Sequence, residues 1–265
     1  MLAIPKNSPR VGECIYCGDT APPLTREHAV PFGLNGEWTL LEASCDLCAK
    51  ITKRFEGDTL RGLLPTIRVA LAMKTRRPEK RPKTLTLVLE KDGGRTTVEL
   101  PPSEFPLYLP TPIFPPVRDD APVGDPPVEM RFIHLGGPTF ESVAVRYPSE
   151  FVGARISFAP SEFARTLAKI GYCAGVYVLG VSALRDSRIR KFILGEDHHV
   201  GRWVGTWTGE PMNEVSGLHG IKVRASGPDI HAFVRLFGQF GAPEYHVFLG
   251  AASEEARGRD TWPFR

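Results

Sequence analysis

Cys14-Ile15-Tyr16-Cys17 and Cys45-Asp46-Leu47-Cys48 are two CxxC pairs separated by 27 residues. Each pair can present two thiolates from one tight turn, and four thiolates close a tetrahedral zinc site. Gly18 suits the turn after the first pair. In a reducing compartment such pairs read as metal ligands rather than disulfides, and two of them among five cysteines are not readily produced by chance. A four-cysteine site is coordinatively full, so its zinc is structural; catalysis by zinc needs an open position for water or substrate. The metal matters to folding, because a module of about 60 residues buries little surface and structural zinc contributes on the order of 10 kcal/mol.

Outward from the knuckles the composition is globular. The 265 residues are 42% hydrophobic and 24% charged, which excludes a chain disordered throughout or a collagen-like repeat. Glycine (26) and proline (25) are abundant and predict many turns and short elements. A net charge of +3 is too small to mark a nucleic-acid binder, so the location of the charges decides. The longest uncharged stretch, Ile170 to Leu184, is shorter than the roughly 20 apolar residues a membrane span needs. No membrane partner is expected, and the N-terminus, Met-Leu-Ala-Ile-Pro-Lys, reaches Arg10 without an apolar core and does not resemble a secretory signal, which makes the cytoplasm the expected compartment.

With zinc confined to structure, chemistry must come from the segment between the knuckles: Leu24-Thr25-Arg26-Glu27-His28-Ala29-Val30-Pro31-Phe32-Gly33-Leu34-Asn35-Gly36. Together with the cysteine pairs, residues 12 to 62 resemble the HNH endonuclease family, in its members with a four-cysteine zinc site. The resemblance implies a ββα-metal module that hydrolyses phosphodiester bonds in DNA or another nucleic acid. His28 falls on the family's first His and would be the general base. A catalytic Mg²⁺ or another divalent cation is implied beside it, held by Glu27 and by Glu56 on the helix after the second knuckle, with Asp58 as a neighbouring alternative. The chemistry is consistent: a neutral imidazole can accept a proton from attacking water, and hard oxygen ligands suit such a cation. Lys53, three residues before Glu56, is the competing partner for that carboxylate.

Ala49 departs from the family pattern, which often has Asn or His after the second knuckle, and no Asn near Leu40 or Leu41 is placed to orient His28. Asn35 is the remaining candidate for that role. These departures support an alternative, a catalytically decayed zinc-stabilised module that binds nucleic acid or protein. Phosphate contacts are expected from Lys50, Lys53, Arg54 and Arg61 on the zinc-site helix, and from Lys74, Arg76, Arg77, Lys80, Arg81 and Lys83 in the connector that follows.

The expected fold class is α+β: a zinc module over 1–62, a basic connector, hairpin and Pro-rich linker over 63–127, and a larger mixed α+β domain over 128–265. A helix is predicted from about Cys45, capped by Ser44, to about Gly62, and another over Thr66 to Thr75. Thr84 to Leu89 and Thr96 to Leu100 read as a hairpin around Lys91-Asp92-Gly93-Gly94. Ten prolines in 101–127 argue against central strands there. Strands are expected at Val128 to His134, Ser142 to Arg146, Arg155 to Phe158, Arg202 to Trp207, Gly220 to Ala225 and Tyr245 to Leu249. Helices are expected from Pro160 to about Leu179, from Arg185 to Leu194 before Gly195, and from Pro228 to Phe240. Glu196-Asp197-His198-His199 reads as a solvent loop, Trp203 and Trp207 as packing residues, and Cys173 as a buried small hydrophobe.

Overall fold

The computed structural model describes residues 10–21, 23–148, 151–211, 217–252 and 260–264. In chain order β1 (Thr25–His28), β2 (Thr39–Ser44) and α1 (Asp46–Asp58) lead into a π-type turn over Thr59–Leu63 and α2 (Pro65–Ala70). β3 (Leu85–Lys91), β4 (Gly94–Leu100), β5 (Leu107–Ile113), β6 (Glu129–Gly136), α3 (Phe140–Arg146) and β7 (Phe151–Gly153) follow. The C-terminal part holds α4 (Pro160–Leu179), α5 (Ile189–Leu194), α6 (Val200–Trp203), β8 (Val204–Thr206), β9 (His219–Ser226), β10 (Asp229–Leu236), β11 (Glu244–Ala251) and β12 (Asp260–Phe264). The strands form antiparallel sheets ordered β1-β2, β4-β3-β7, β5-β6 and β12-β9-β10-β11-β8. The class is mixed α and β, with small sheets.

The 20 residues of α4 organise the core. Phe163, Leu167, Ile170, Ala174 and their neighbours are buried, so this helix is covered on nearly all sides. One stripe, Thr166, Lys169 and Cys173 at i, i+3 and i+7, meets the N-terminal elements through polar contacts: Thr166 bonds the Thr59 hydroxyl at 3.0 Å and Cys173 lies 3.6 Å from the Tyr16 hydroxyl. Tyr172 donates to the Ile15 carbonyl at 2.7 Å. The opposite side lies on the five-stranded sheet, where Gly171 allows close approach; a Cβ there would stand 3.0 Å from the Ala232 methyl and 3.2 Å from Val247. One continuous hydrophobic core therefore runs from Cys14 and Ile15 through Phe55 and α4 to Val247 and Leu249. A smaller cluster, Leu85, Leu87, Leu100, Phe105 and Val143, lies under the β3–β4 hairpin.

Several local expectations need correction. Ser44 ends β2, and Cys45, with extended backbone, is the N-cap of α1. The Pro-rich segment is not only a linker: residues 107–113 pair with β6, Pro110 opposite Phe132 and Pro112 opposite Met130. A two-stranded ribbon has an open edge, and prolines two residues apart turn their missing donors to the same side. Phe114 just beyond is buried, stacked with Phe163. Residues 142–146 belong to a helix, because Thr139 caps it by accepting from the Ser142 amide at 3.2 Å. Residues 155–158 form no strand; β7 precedes them. In 202–207 only Val204–Thr206 are strand, after the short α6. The expected helix at 228–240 is instead β10, since Ile230, Ala232 and Val234 are buried at period 2 and Gly227-Pro228 closes a hairpin pairing Ser226 with Asp229.

Candidate functional site

The first knuckle is a turn closed by the Gly18 amide bonding the Cys14 carbonyl at 2.8 Å, with Gly18 at φ 81. The second begins α1, where Cys48 lies on the first turn. The four sulfur atoms lie within 4.8 Å of one another, and Cys17 Sγ stands 3.7 Å from Cys45 Sγ. Zinc–sulfur bonds of about 2.3 Å place tetrahedral sulfurs about 3.8 Å apart, so this donor set fits such an ion. Three of the cysteines are buried and all are free of disulfides. A hydrogen bond from Cys48 draws the Cys14 thiol down to about 4, while Cys48 is pushed up in return. The cluster is thus positioned to bind a metal ion. Among the described residues it is the one group of three or more Cys, His, Asp or Glu side chains close enough to share one.

Glu27 and His28 are neighbours on β1; Glu27 is buried and His28 half-buried. α1 brings Glu56 to the same place, and the two carboxylates converge on one point. That point is filled by the ammonium of Lys169 from α4, 2.9 Å from Glu27 Oε1 and 2.7 Å from Glu56 Oε1. Lys169 also donates to the His28 carbonyl and lies 3.5 Å from the Ala29 carbonyl. The side chain is 0% exposed. Burial opposes its charge, but Glu27 and Glu56 outweigh burial and hold its proton well above the ordinary lysine range. Burial pushes Glu56 up, with Lys169 pulling the other way, and Glu56 Oε1 is answered by this ammonium alone. Lys53, the sequence candidate for pairing with Glu56, is exposed.

This arrangement does not fit the expected catalytic divalent cation. A dication bound by both carboxylates would stand about 3 Å from the ammonium, and their repulsion is on the order of 10 kcal/mol even at an effective dielectric of about 20. The protein supplies its own cation there.

His28 sits with its ring edge toward Phe32, centroids 5.9 Å apart. Burial lowers its affinity for protons, Lys169 lowers it further, and Glu27 only partly offsets them, so the imidazole is neutral near pH 7. Arg76 acts in the same direction on His28, which places part of the basic connector beside the site. That connector folds back to form, with α2, a groove of about 580 Å³ lined by Arg61, Arg68, Arg76, Arg77, Lys80 and Arg81. No acidic side chain is among its lining residues as described. Arg68 donates to the Gly33 carbonyl at 3.0 Å, and Arg81 to the Met73 carbonyl, so two of these cations are fixed. Lys50, Lys53, Arg54 and Lys83 lie outside the groove, and Lys74 pairs with Glu37 at 2.7 Å. Asn35 does not orient His28; its Oδ1 accepts from the Lys74 amide at 2.8 Å and anchors the connector. Asp58 pairs with Arg61 at the surface.

Sequence reasoning missed Lys169 and Arg68. Lys169 carried a signal, being the single charge between Arg165 and Arg185 on an otherwise buried helix. Arg68 had no signal beyond proximity to the connector. In the 196–199 run, Asp197 and His199 pair with each other at 2.7 Å and Trp203 donates to Asp197, so the run holds a loop in place. Cys173 is pushed up to about 12 by burial and is inert. Trp203 stacks on Phe248 and Trp207 meets Phe233 edge-on, as packing residues do. Comparison with known proteins gives no match: no family model, no curated protein and no solved structure is significantly similar to this chain.

Proposed function

We propose that this chain is an HNH-type hydrolase of phosphodiester bonds in DNA, stabilised by zinc on Cys14, Cys17, Cys45 and Cys48. The observation that supports it is a half-buried His28, its proton affinity lowered by burial, within the electrostatic reach of Arg76, which lines a groove of six cationic side chains. His28 takes the proton from a water attacking phosphorus, which needs a neutral ring at working pH. Arg76 and its neighbours hold successive phosphates and spread the charge that grows on the phosphoryl oxygens, giving affinity without base reading. Glu27, through Lys169, fixes the end of β1 that carries His28.

A second reading, binding of nucleic acid without hydrolysis, is favoured by Lys169 standing between Glu27 and Glu56 and by Ala49. Plasmid nicking by zinc-loaded wild type and His28→Ala, with and without added Mg²⁺, separates the two. The hydrolase reading expects cleavage that falls by about 100-fold or more in His28→Ala. Equal rates for the two proteins would falsify the role of His28. Salt-sensitive binding with no cleavage by either establishes the second reading.

A further inference from the structure

We infer that Lys169 is the resident cation of the Glu27–Glu56 pocket, so that the position where a ββα-metal site would carry a divalent ion is permanently occupied by a side chain of the chain itself. Three observations converge. The two carboxylates come from β1 and α1 and meet at a single point, as ligands of one ion would. The group at that point is a fully buried ammonium delivered by a third element, α4. The remaining oxygens around it are the backbone carbonyls of His28 and Ala29, so the ammonium is held in an all-oxygen nest. Lysine is the only charged residue on the buried central part of α4, and its neighbours Thr166 and Cys173 dock the same stripe of helix against the N-terminal elements. The side chain therefore has no solvent-facing position to retreat to when a metal arrives.

The consequence is that Mg²⁺ or Mn²⁺ gains no foothold in the wild-type pocket, and that removing the ammonium opens one. A neutral residue at 169 leaves two buried carboxylates without a countercharge, which is the donor set a hard divalent ion takes. The thiolate cluster does not compete, since its soft ligands select zinc.

The test is Mn²⁺ titration of zinc-loaded protein, read by electron paramagnetic resonance and by thermal melting, with no nucleic acid present, so that its result is independent of hydrolysis. Wild type is expected to show no saturable Mn²⁺ site and no change in Tm. Lys169→Ala is expected to bind one Mn²⁺ per chain with a rise in Tm, and Lys169→Ala/Glu56→Gln to lose that binding at least 10-fold. If Lys169→Ala is unfolded in metal-free buffer, recovery of its fold by Mn²⁺ supports the inference equally. A wild-type Mn²⁺ site abolished by Glu56→Gln overturns it, as does a Lys169→Ala protein that neither binds Mn²⁺ nor is recovered by it.

Discussion

His219 on β9 has both ring nitrogens engaged: Nε2 donates to the Leu34 carbonyl at 2.8 Å and Nδ1 accepts from the Phe237 amide at 3.2 Å. Those two bonds select one neutral tautomer, and they tie the sheet to the loop that follows β1. Burial drives its pKa down to about 4, the bond to the Leu34 carbonyl offsetting only part of this. The sign follows: the unfolded chain takes up this proton near pH 6.5, the folded chain only near 4. The contribution of neutral His219 to stability is whole above pH 6.5, shrinks as the pH falls, and is lost below about 4, amounting to about 3 kcal/mol. His246, also depressed to about 4, titrates in the same window, so the comparison must be differential. Urea unfolding of wild type and His219→Phe at pH 7.5 and 4.5 is expected to show the wild-type advantage narrowing at the lower pH. A gap unchanged between the two pH values refutes the coupling. Lys169 teaches a related lesson about single residues. Its charge on an apolar helix was visible in the sequence, but its partners Glu27 and Glu56 lie more than 100 residues away and no local pattern names them.

Among the elements, those with one dominant local signal were legible. The β3–β4 hairpin follows from β-rich runs around Asp92-Gly93, and α4 from Pro160 at its start and apolar spacing to Leu179. The misread elements carried two signals at once. In β10, Ile230, Ala232 and Val234 alternate as a strand requires, but Ala, Phe and Leu among them also fit a helix, and only pairing with β9 and β11 decides. In α3 the run Val143-Ala144-Val145 suggested a strand, whereas the Thr139 cap and the 85% exposure of Val145 belong to a surface helix. The candidate site divides the same way: the cysteine frame, Glu27, His28 and Glu56 were readable because they lie on adjacent elements, while α4 enters from far along the chain. Its approach to the sheet rests on Gly171. Gly171→Val forces side-chain atoms against Ala232 and Val247, and overpacking of this kind costs about 1–3 kcal/mol. A lower urea midpoint with an unchanged m-value is the expected readout; an unchanged midpoint shows that helix and sheet can separate at little cost.

At the scale of the whole molecule, the four-cysteine cluster and the C-terminal sheet share one core even though some 200 residues of chain separate them. Ile15, Tyr16 and Phe55 are buried against the same continuous cluster as α4, and Tyr172 and Cys173 reach across to the first knuckle. If the cluster holds zinc as proposed, loss of the ion would therefore disturb more than the knuckles. It would free Cys14 and Cys48, uncover Tyr16 and the Lys169 stripe, and leave a buried ammonium whose carboxylate partners are no longer held. Structural zinc is worth on the order of 10 kcal/mol, comparable with the whole stability of a domain. Cys48→Ser, or exhaustive chelation, is accordingly expected to unfold the body together with the cysteine segment. Tryptophan fluorescence can report this, because with Trp38→Phe the remaining tryptophans lie beyond residue 200, and Trp203 and Trp207 are packed on the sheet. Their emission should shift to the red in step with the loss of far-ultraviolet circular dichroism, as a single transition. If chelation removes helix signal while the emission stays at its native position, the cysteine segment unfolds by itself, and the shared core does not couple the two halves.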